Sequence, residues 1–370
     1  MSCARNLLLF LAFGVACARG AEPATNLGPI AWYSITNAQT ALGLTNSEHL
    51  SDGLVLSNAS HVLHLFAGRR TATLDGVNVW LHLPPWDAAS NDLRDVTRVD
   101  YDNLLQPILL ATAVPPTHPW IVLDAGHGGE DTGARSAAPE VREKDVSLDI
   151  ARRVSAQLTA AGQHVFLTRK HDVFEALGER TRFAAAHHAQ IFISIHANSA
   201  PSNHLAMGAE TYILPAPGFS GTAELAHAPT NACPGNRFDA ANALLGFTIH
   251  RHCAPLTDMD RGLKRARYFV LKEAPCPAVL IECGFLTNTN DATRLADAAY
   301  RQKFADAITA GILDYSSLAS HPASFTPPAV TMTNEPVGRC DSRTVGQSNS
   351  PAAQASATTD VGTAQTEQPH

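Results

Sequence analysis

No tract of basic residues occurs anywhere in this chain, and charged side chains of either sign make up only 16% of it. With 27 Lys and Arg against 34 Asp and Glu, the net charge is −7. Such a chain has no basic face with which to neutralise a phosphate backbone, so nucleic acid is excluded as a partner. No Cys-x-x-Cys pair is present either, which removes the usual redox and zinc-ribbon patterns. Aromatic residues are sparse at 6%, yet the hydrophobic fraction of 45% is ample for a globular core.

Near the N-terminus, Arg5 precedes an apolar run from Leu7 to Val15, followed by the small residues Ala16, Ala18, Gly20 and Ala21. This order of charge, short apolar stretch and small residues predicts a signal peptide over 1–21 and export to the periplasm or cell envelope. The run falls well short of the roughly 20 residues a bilayer span requires, so no transmembrane anchor is expected. Beyond it lie five cysteines: Cys233, Cys253, Cys276, Cys283 and Cys340. An odd number cannot pair completely; Cys233 with Cys253 is one open pairing, and all thiols free is the other.

Three zones follow. Residues 22–114 read as a β-rich accessory module. Val77, Val79, Leu81 and Leu83 alternate with Asn78, Trp80 and His82, the period of a half-buried strand. Asp75-Gly76 before it predicts a two-residue hairpin from Thr71–Leu74. His61–Phe66 is a further strand, and Asp102–Leu110 a closing helix. Pro115, Pro116 and Pro119 mark a stiff linker over 115–119. From 120 to 315 strands alternate with helices: Ile121–Leu123, His164–Leu167, Ile191–Ile195, Ala209–Leu214, Tyr268–Leu271 and Ala278–Ile281 read as strands. Val146, Ile150, Val154 and Leu158 recur at helical spacing, and Phe183–His188, Ala240–His250 and Arg301–Leu313 read likewise. The expected class is α/β, a mainly parallel sheet flanked by helices, behind a small β-rich domain. The Ser-, Thr-, Ala- and Gln-rich tail 316–370 has too few apolar residues to order itself.

Polar residues fall where such folds place chemistry, beyond the carboxyl ends of strands. Ile121–Leu123 leads into Asp124-Ala125-Gly126-His127-Gly128-Gly129. Ile191–Ile195 runs into His196-Ala197-Asn198, and Ala278–Ile281 into Glu282. Glu143 opens the helix after the first strand. Two imidazoles and a carboxylate are the usual ligands of a catalytic zinc, and a further carboxylate can move protons beside it. Each residue alone has a plainer explanation: a turn, a core histidine, a charge at a helix dipole. Glu282 resists one, because a carboxylate straight after Ala-Val-Leu-Ile must be desolvated.

These blocks resemble a known family. IVLDAGHGGEDTGA (121–134), EKDVSLDIARRV (143–154), VFLTRKHD (165–172), FISIHANS (192–199), DRGLKRARYFVL (260–271) and PAVLIECGFLTN (277–288) match, in order, the zinc-dependent N-acetylmuramoyl-L-alanine amidases of cell division and sporulation. The resemblance implies one Zn2+ held by His127, Glu143 and His196, with Glu282 as general base and acid. It implies peptidoglycan as substrate, cut between the muramic lactyl group and L-alanine. Arg261, Lys264 and Asn198 are candidates for holding the acidic stem peptide; Glu130 and Asp131 read as solvated loop charges. The N-terminal module loosely resembles the N-terminal domain of copper amine oxidases. Ala216–Phe238 departs from the plain pattern. Some relatives carry an inhibitory helix there, released by an activator protein, but the Pro and Gly content here predicts a loop over or beside the cleft. Rival readings are another exported zinc hydrolase of the wall, a peptidase or deacetylase, and a noncatalytic wall-binding protein.

Overall fold

The structure, a computed structural model, describes residues 30–85, 93–115, 117–223 and 231–318. The expected signal peptide, Pro116 and the tail beyond 318 lie outside those residues.

Alternation along the central strands sorts their side chains between two cores. Ile121, Leu123 and Ala125 face one, with Ile191, Ile193, Ile195, Val279 and Ile281. Val122, Phe192, Ala278 and Leu280 face the other. Each strand is thus apolar on both faces, which is why these runs carry so few polar residues. Helices Glu143–Ala160, Asp239–Cys253 and Ala298–Ser317 cover the first face. Leu177–Ala186 and the short Phe269–Lys272 pack together on the second.

Across the sheet the catalytic-region strands run His164–Leu167, Trp120–Ala125, Ile191–Asn198, Ala278–Phe285, Ala209–Ile213, Asp260–Arg265. All neighbours are parallel except Ala209–Ile213 against Ala278–Phe285. The sheet does not stop there. Leu263 pairs in parallel with Val79, and the N-terminal meander Val77–Trp80, Thr71–Leu74, Val62–Phe66, Gly53–Ser57 and Asn46–Leu50 extends it to 11 strands. Asp75 and Gly76 both take positive φ (52° and 79°), the two-residue hairpin that Asp-Gly predicts. Asn78 donates its backbone N–H to Asp260 Oδ2 at 2.8 Å, and Trp80 Nε1–H donates to the Arg261 carbonyl at 3.1 Å. One hydrophobic cluster runs from Leu54, Leu65 and Val79 through Leu263 to Phe247 and Phe304. The two regions that read as separate domains share a sheet and a core.

Several sequence expectations need correction. Tyr268–Leu271 is not a strand; the helix Phe269–Lys272 occupies it, and the strand is Asp260–Arg265. The closing helix of the N-terminal region is longer than Asp102–Leu110, beginning at Arg98 and passing through a π turn over Tyr101–Leu105. The last helix runs to Ser317, with Ser316 buried and bonded to the Ile312 carbonyl at 2.9 Å, so an unordered tail cannot begin at 316. Cys233 and Cys253 are both free thiols. Burial pushes the Cys253 thiol up to about 12, so it is an inert packing group. Within the Ala216–Phe238 segment, Ala216 and Thr222 are tied to the sheet junction: the Ala216 N–H donates to His82 Nε2 at 3.2 Å, and Thr222 and Arg265 bond mutually at 2.7 and 2.8 Å, while Pro234–Phe238 forms a short 3-10 turn.

Candidate metal centre

The first strand ends at Ala125, and the chain turns sharply on three glycines to present His127. Its φ is +59°, a left-handed conformation costly for a residue with a Cβ. The turn closes on itself: Gly128 and Asp131 exchange backbone hydrogen bonds at 2.9 and 3.2 Å. Buried guanidinium groups brace it from below. Arg169 donates to the carbonyls of Ala125, Gly126 and Lys144 at 2.7 to 2.9 Å. Arg180 pairs with buried Asp124 at 2.8 Å and donates to the His127 carbonyl at 2.9 Å. Asp124 is completed by the hydroxyls of Thr168 and Ser194, both at 2.7 Å. These bonds hold the loop in its left-handed conformation and fix the place of the His127 ring.

Glu143 is the first residue of its helix, where a carboxylate favours the positive dipole end. The Ala134 N–H donates to its Oε2 at 2.8 Å and the Ala197 N–H to its Oε1 at 3.1 Å. Both imidazoles aim at that same Oε1, His127 Nε2 from 3.1 Å and His196 Nδ1 from 2.7 Å. The three ligand atoms lie within 4.8 Å of one another. Two neighbouring glycines are required by this closeness. A Cβ on Gly126 would sit 2.3 Å from the His196 ring, and one on Gly133 2.6 Å from both Glu143 and His127.

Asp131 accepts from His127 Nδ1 at 2.8 Å, fixing which nitrogen turns toward Glu143. It orients the His127 ring, where a solvated loop charge was expected. Electrostatics point to a cation. Burial alone would raise the Glu143 carboxyl, yet the hydrogen bonds and charges of His127 and His196 hold it well below the usual range. Burial would lower His127, but Glu143 and Asp131 outweigh it and raise its proton affinity. The pocket draws positive charge inward.

Glu282 lies in register with His196 on one side and Glu210 on the other. It is only 7% exposed, and its buried Oε2 has no protein hydrogen-bond partner. Burial, then the negative charges of Glu143 and Glu210, push its carboxyl well above the normal range, with Lys264 offsetting part. An orphaned carboxylate oxygen beside two histidines and a glutamate fits a catalytic zinc, whose usual donor set is this one.

A profile of the N-acetylmuramoyl-L-alanine amidase family matches residues 121–314, half of the chain. The chain belongs to that family. Among relatives, LytC of Bacillus subtilis is 37% identical over 197 residues, which is 53% of this chain and 35% of LytC. AmiA of Escherichia coli K12 is 33% identical over 219 residues, covering 53% of this chain and 75% of AmiA. The chain thus spans about a third of one named amidase and three quarters of the other. The solved structure of AmiC2 of Nostoc punctiforme is 32% identical, covers 54% of this chain and 98% of that one, and has a TM-score of 0.45.

Within this amidase-family domain, the three candidate substrate-holding residues meet on a residue the sequence reading passed over. Glu210, almost fully buried, accepts from Arg261 Nε at 2.5 Å, Lys264 Nζ at 2.7 Å, Asn198 Nδ2 at 2.8 Å and the Tyr212 hydroxyl at 2.7 Å. The signal was present: an acid inside the apolar run Ala209–Leu214 demands the same explanation as Glu282. Asp124, Arg169 and Arg180 were likewise missed; as buried charges they announce themselves only once the fold brings them together.

Proposed function

We propose that this protein hydrolyses the amide bond between the lactyl group of N-acetylmuramic acid and L-alanine in peptidoglycan, using one zinc ion. The observation that carries the reading is the convergence of His127, Glu143 and His196 beside unpartnered Glu282 in a chain of the amidase family. A zinc ion held by those three would supply Lewis acidity toward water and the amide carbonyl. Glu282, desolvated and with a raised proton affinity, takes a proton from the attacking water. It then delivers that proton to the departing L-alanine amine. Asp131 keeps His127 in the tautomer that presents Nε2.

Arg261, partly exposed, is held by Glu210 and by the Phe285 ring, 4.9 Å from its guanidinium, leaving N–H groups for a carboxylate of the stem peptide. Lys264 and Asn198 act through Glu210: Lys264 is buried against it. The substrate lies outside the cytoplasm, in keeping with export directed by residues 1–21. No helix among the described residues is long and apolar enough to cross a membrane.

Digestion of purified sacculi with and without a chelator tests the reading. The expected products are L-alanine amino termini and peptide-free glycan, lost when metal is removed. Shortened stems would make it a peptidase, released acetate a deacetylase, and binding without solubilisation a noncatalytic wall protein.

A further inference from the structure

The rim has a direction, and the strand order sets it. From one side to the other the rim carries His127, His196, Glu282, Glu210 and then Arg261 with Lys264. On the far side of His127 lies the loop that follows His164–Leu167. The loop exposes Val173 (45%) and Phe174 (59%), and the helix after it opens on exposed Leu177 (43%), three large apolar side chains within five residues. Single exposed hydrophobes are ordinary, but a cluster at the edge of a site marks a binding surface.

This loop is locked to the metal-site loop. The Gly129 N–H donates to Asp172 Oδ1 at 2.8 Å, and buried Lys144 Nζ bridges the Gly129 carbonyl and Asp172 Oδ2, both at 2.7 Å. A Cβ on Gly128 would lie 2.1 Å from the Val173 carbonyl oxygen, so only glycine permits the approach. Arg180 ties the Glu175 carbonyl (2.9 Å) and the His127 carbonyl (2.9 Å) to one guanidinium. The apolar side chains therefore stand at a fixed place relative to His127, on a rigid base.

The polarity of the substrate then decides what each side receives. If Glu282 protonates the leaving amine, as the amidase reading requires, the stem peptide departs on the Glu282 side. There the partly exposed Arg261 guanidinium, anchored on Glu210, is left to face an acidic peptide. The acyl half, the muramic sugar and its glycan strand, must extend the other way, past His127. We propose that Val173, Phe174 and Leu177 form a platform for the glycan strand, so that sugar lies on the His127 side and peptide on the Arg261 side. A pyranose presents one face of C–H groups, which an exposed aromatic ring matches. This inference rests on the amidase reading for its direction.

Two measurements test it. The first is binding of peptide-free glycan strands, by calorimetry, to the wild type, Phe174→Ala, Phe174→Trp and Leu177→Gln. The platform predicts binding weakened about tenfold by Phe174→Ala, reduced by Leu177→Gln and retained by Phe174→Trp, a loss of the size one aromatic contact gives. Unchanged glycan binding in Phe174→Ala and Leu177→Gln overturns it. The second compares two soluble substrate series, one lengthening the glycan on a fixed stem, the other lengthening the stem on a fixed sugar. Phe174→Ala should raise KM only along the glycan series and leave kcat intact; a defect that tracks stem length reverses the assignment and refutes it. Should the wild type cleave neither series, the amidase reading fails, while the binding measurement still decides the platform.

Discussion

Two sets of histidine–carboxylate pairs on this sheet are wired differently. At the junction with the N-terminal strands, His82 Nδ1 pairs with Asp100 at 2.7 Å while its Nε2 accepts the Ala216 N–H at 3.2 Å. His250 likewise spans Thr211 Oγ1 at 2.9 Å and Asp260 Oδ1 at 2.8 Å. Each ring nitrogen there has a protein partner of its own. At the rim, one nitrogen from each of His127 and His196 converges on a single oxygen of Glu143, and Glu282 Oε2 has no partner at all. Both places pair imidazoles with carboxylates, so the pairing alone does not distinguish chemistry from architecture; the junction histidines are enclosed, whereas the rim histidines keep some exposure. The difference is whether the polar atoms close on one another or are left over for something the chain does not supply.

The sharpest break of this comparison is to remove one histidine from each place. His196→Ala should abolish zinc binding and turnover together, as metal analysis of the purified protein will show. His250→Ala should keep zinc and instead lose about 1–3 kcal/mol of stability, the cost of orphaning buried partners. Next, Glu282→Gln should retain zinc and lower kcat/KM by about 10³-fold, the scale of a positioned proton-transfer group. The same variant should melt higher than wild type when both are metal-free at pH 7. Burial raises the folded proton affinity of Glu282 above its unfolded value, so ionisation costs stability as pH rises above the carboxylate range, and glutamine removes that cost.

The junction offers the opposite sign. Burial, followed by the charge of Arg265, lowers His82 from 6.5 to about 4 despite its bond to Asp100. The unfolded chain therefore takes up a proton between these values while the folded one does not. The contribution is complete above pH 6.5 and drains away as pH falls toward 4, on the order of 3 kcal/mol. Urea melts at pH 7, 5.5 and 4.5 should show a steeper loss in wild type than in His82→Gln. Smallest, Asp131→Asn should weaken zinc binding by about 10–100-fold without changing the fold, measured by competition with a chelator.

How much of this was legible in the sequence follows from which contacts are local. His127, His196 and Glu282 stood out because each comes soon after an apolar run, and the carboxyl ends of such runs define the rim. Glu143 was visible as a helix-opening acid. The strand Asp260–Arg265 was hidden by its own charges. Asp260, Arg261, Lys264 and Arg265 do not look like a buried strand until His250, Glu210 and Asp100, from distant segments, pair with them. Tyr268–Leu271 misled in the converse way: four apolar residues suit strand and helix alike, and packing against the second core decided for helix. The continuous sheet was equally unreadable. It hangs on Leu263 meeting Val79, and on Gly262 (φ +89°), where a Cβ would stand 2.8 Å from the Asn78 carbonyl oxygen.

Anomalous diffraction across the zinc absorption edge, on crystals of the zinc-loaded protein, tests the central claim most directly. The account predicts one zinc with a nitrogen of His127, a nitrogen of His196 and an oxygen of Glu143 at about 2.0–2.2 Å, and Glu282 outside its coordination sphere. Zinc bound elsewhere, or no zinc at these three side chains in protein that cleaves peptidoglycan, would contradict it.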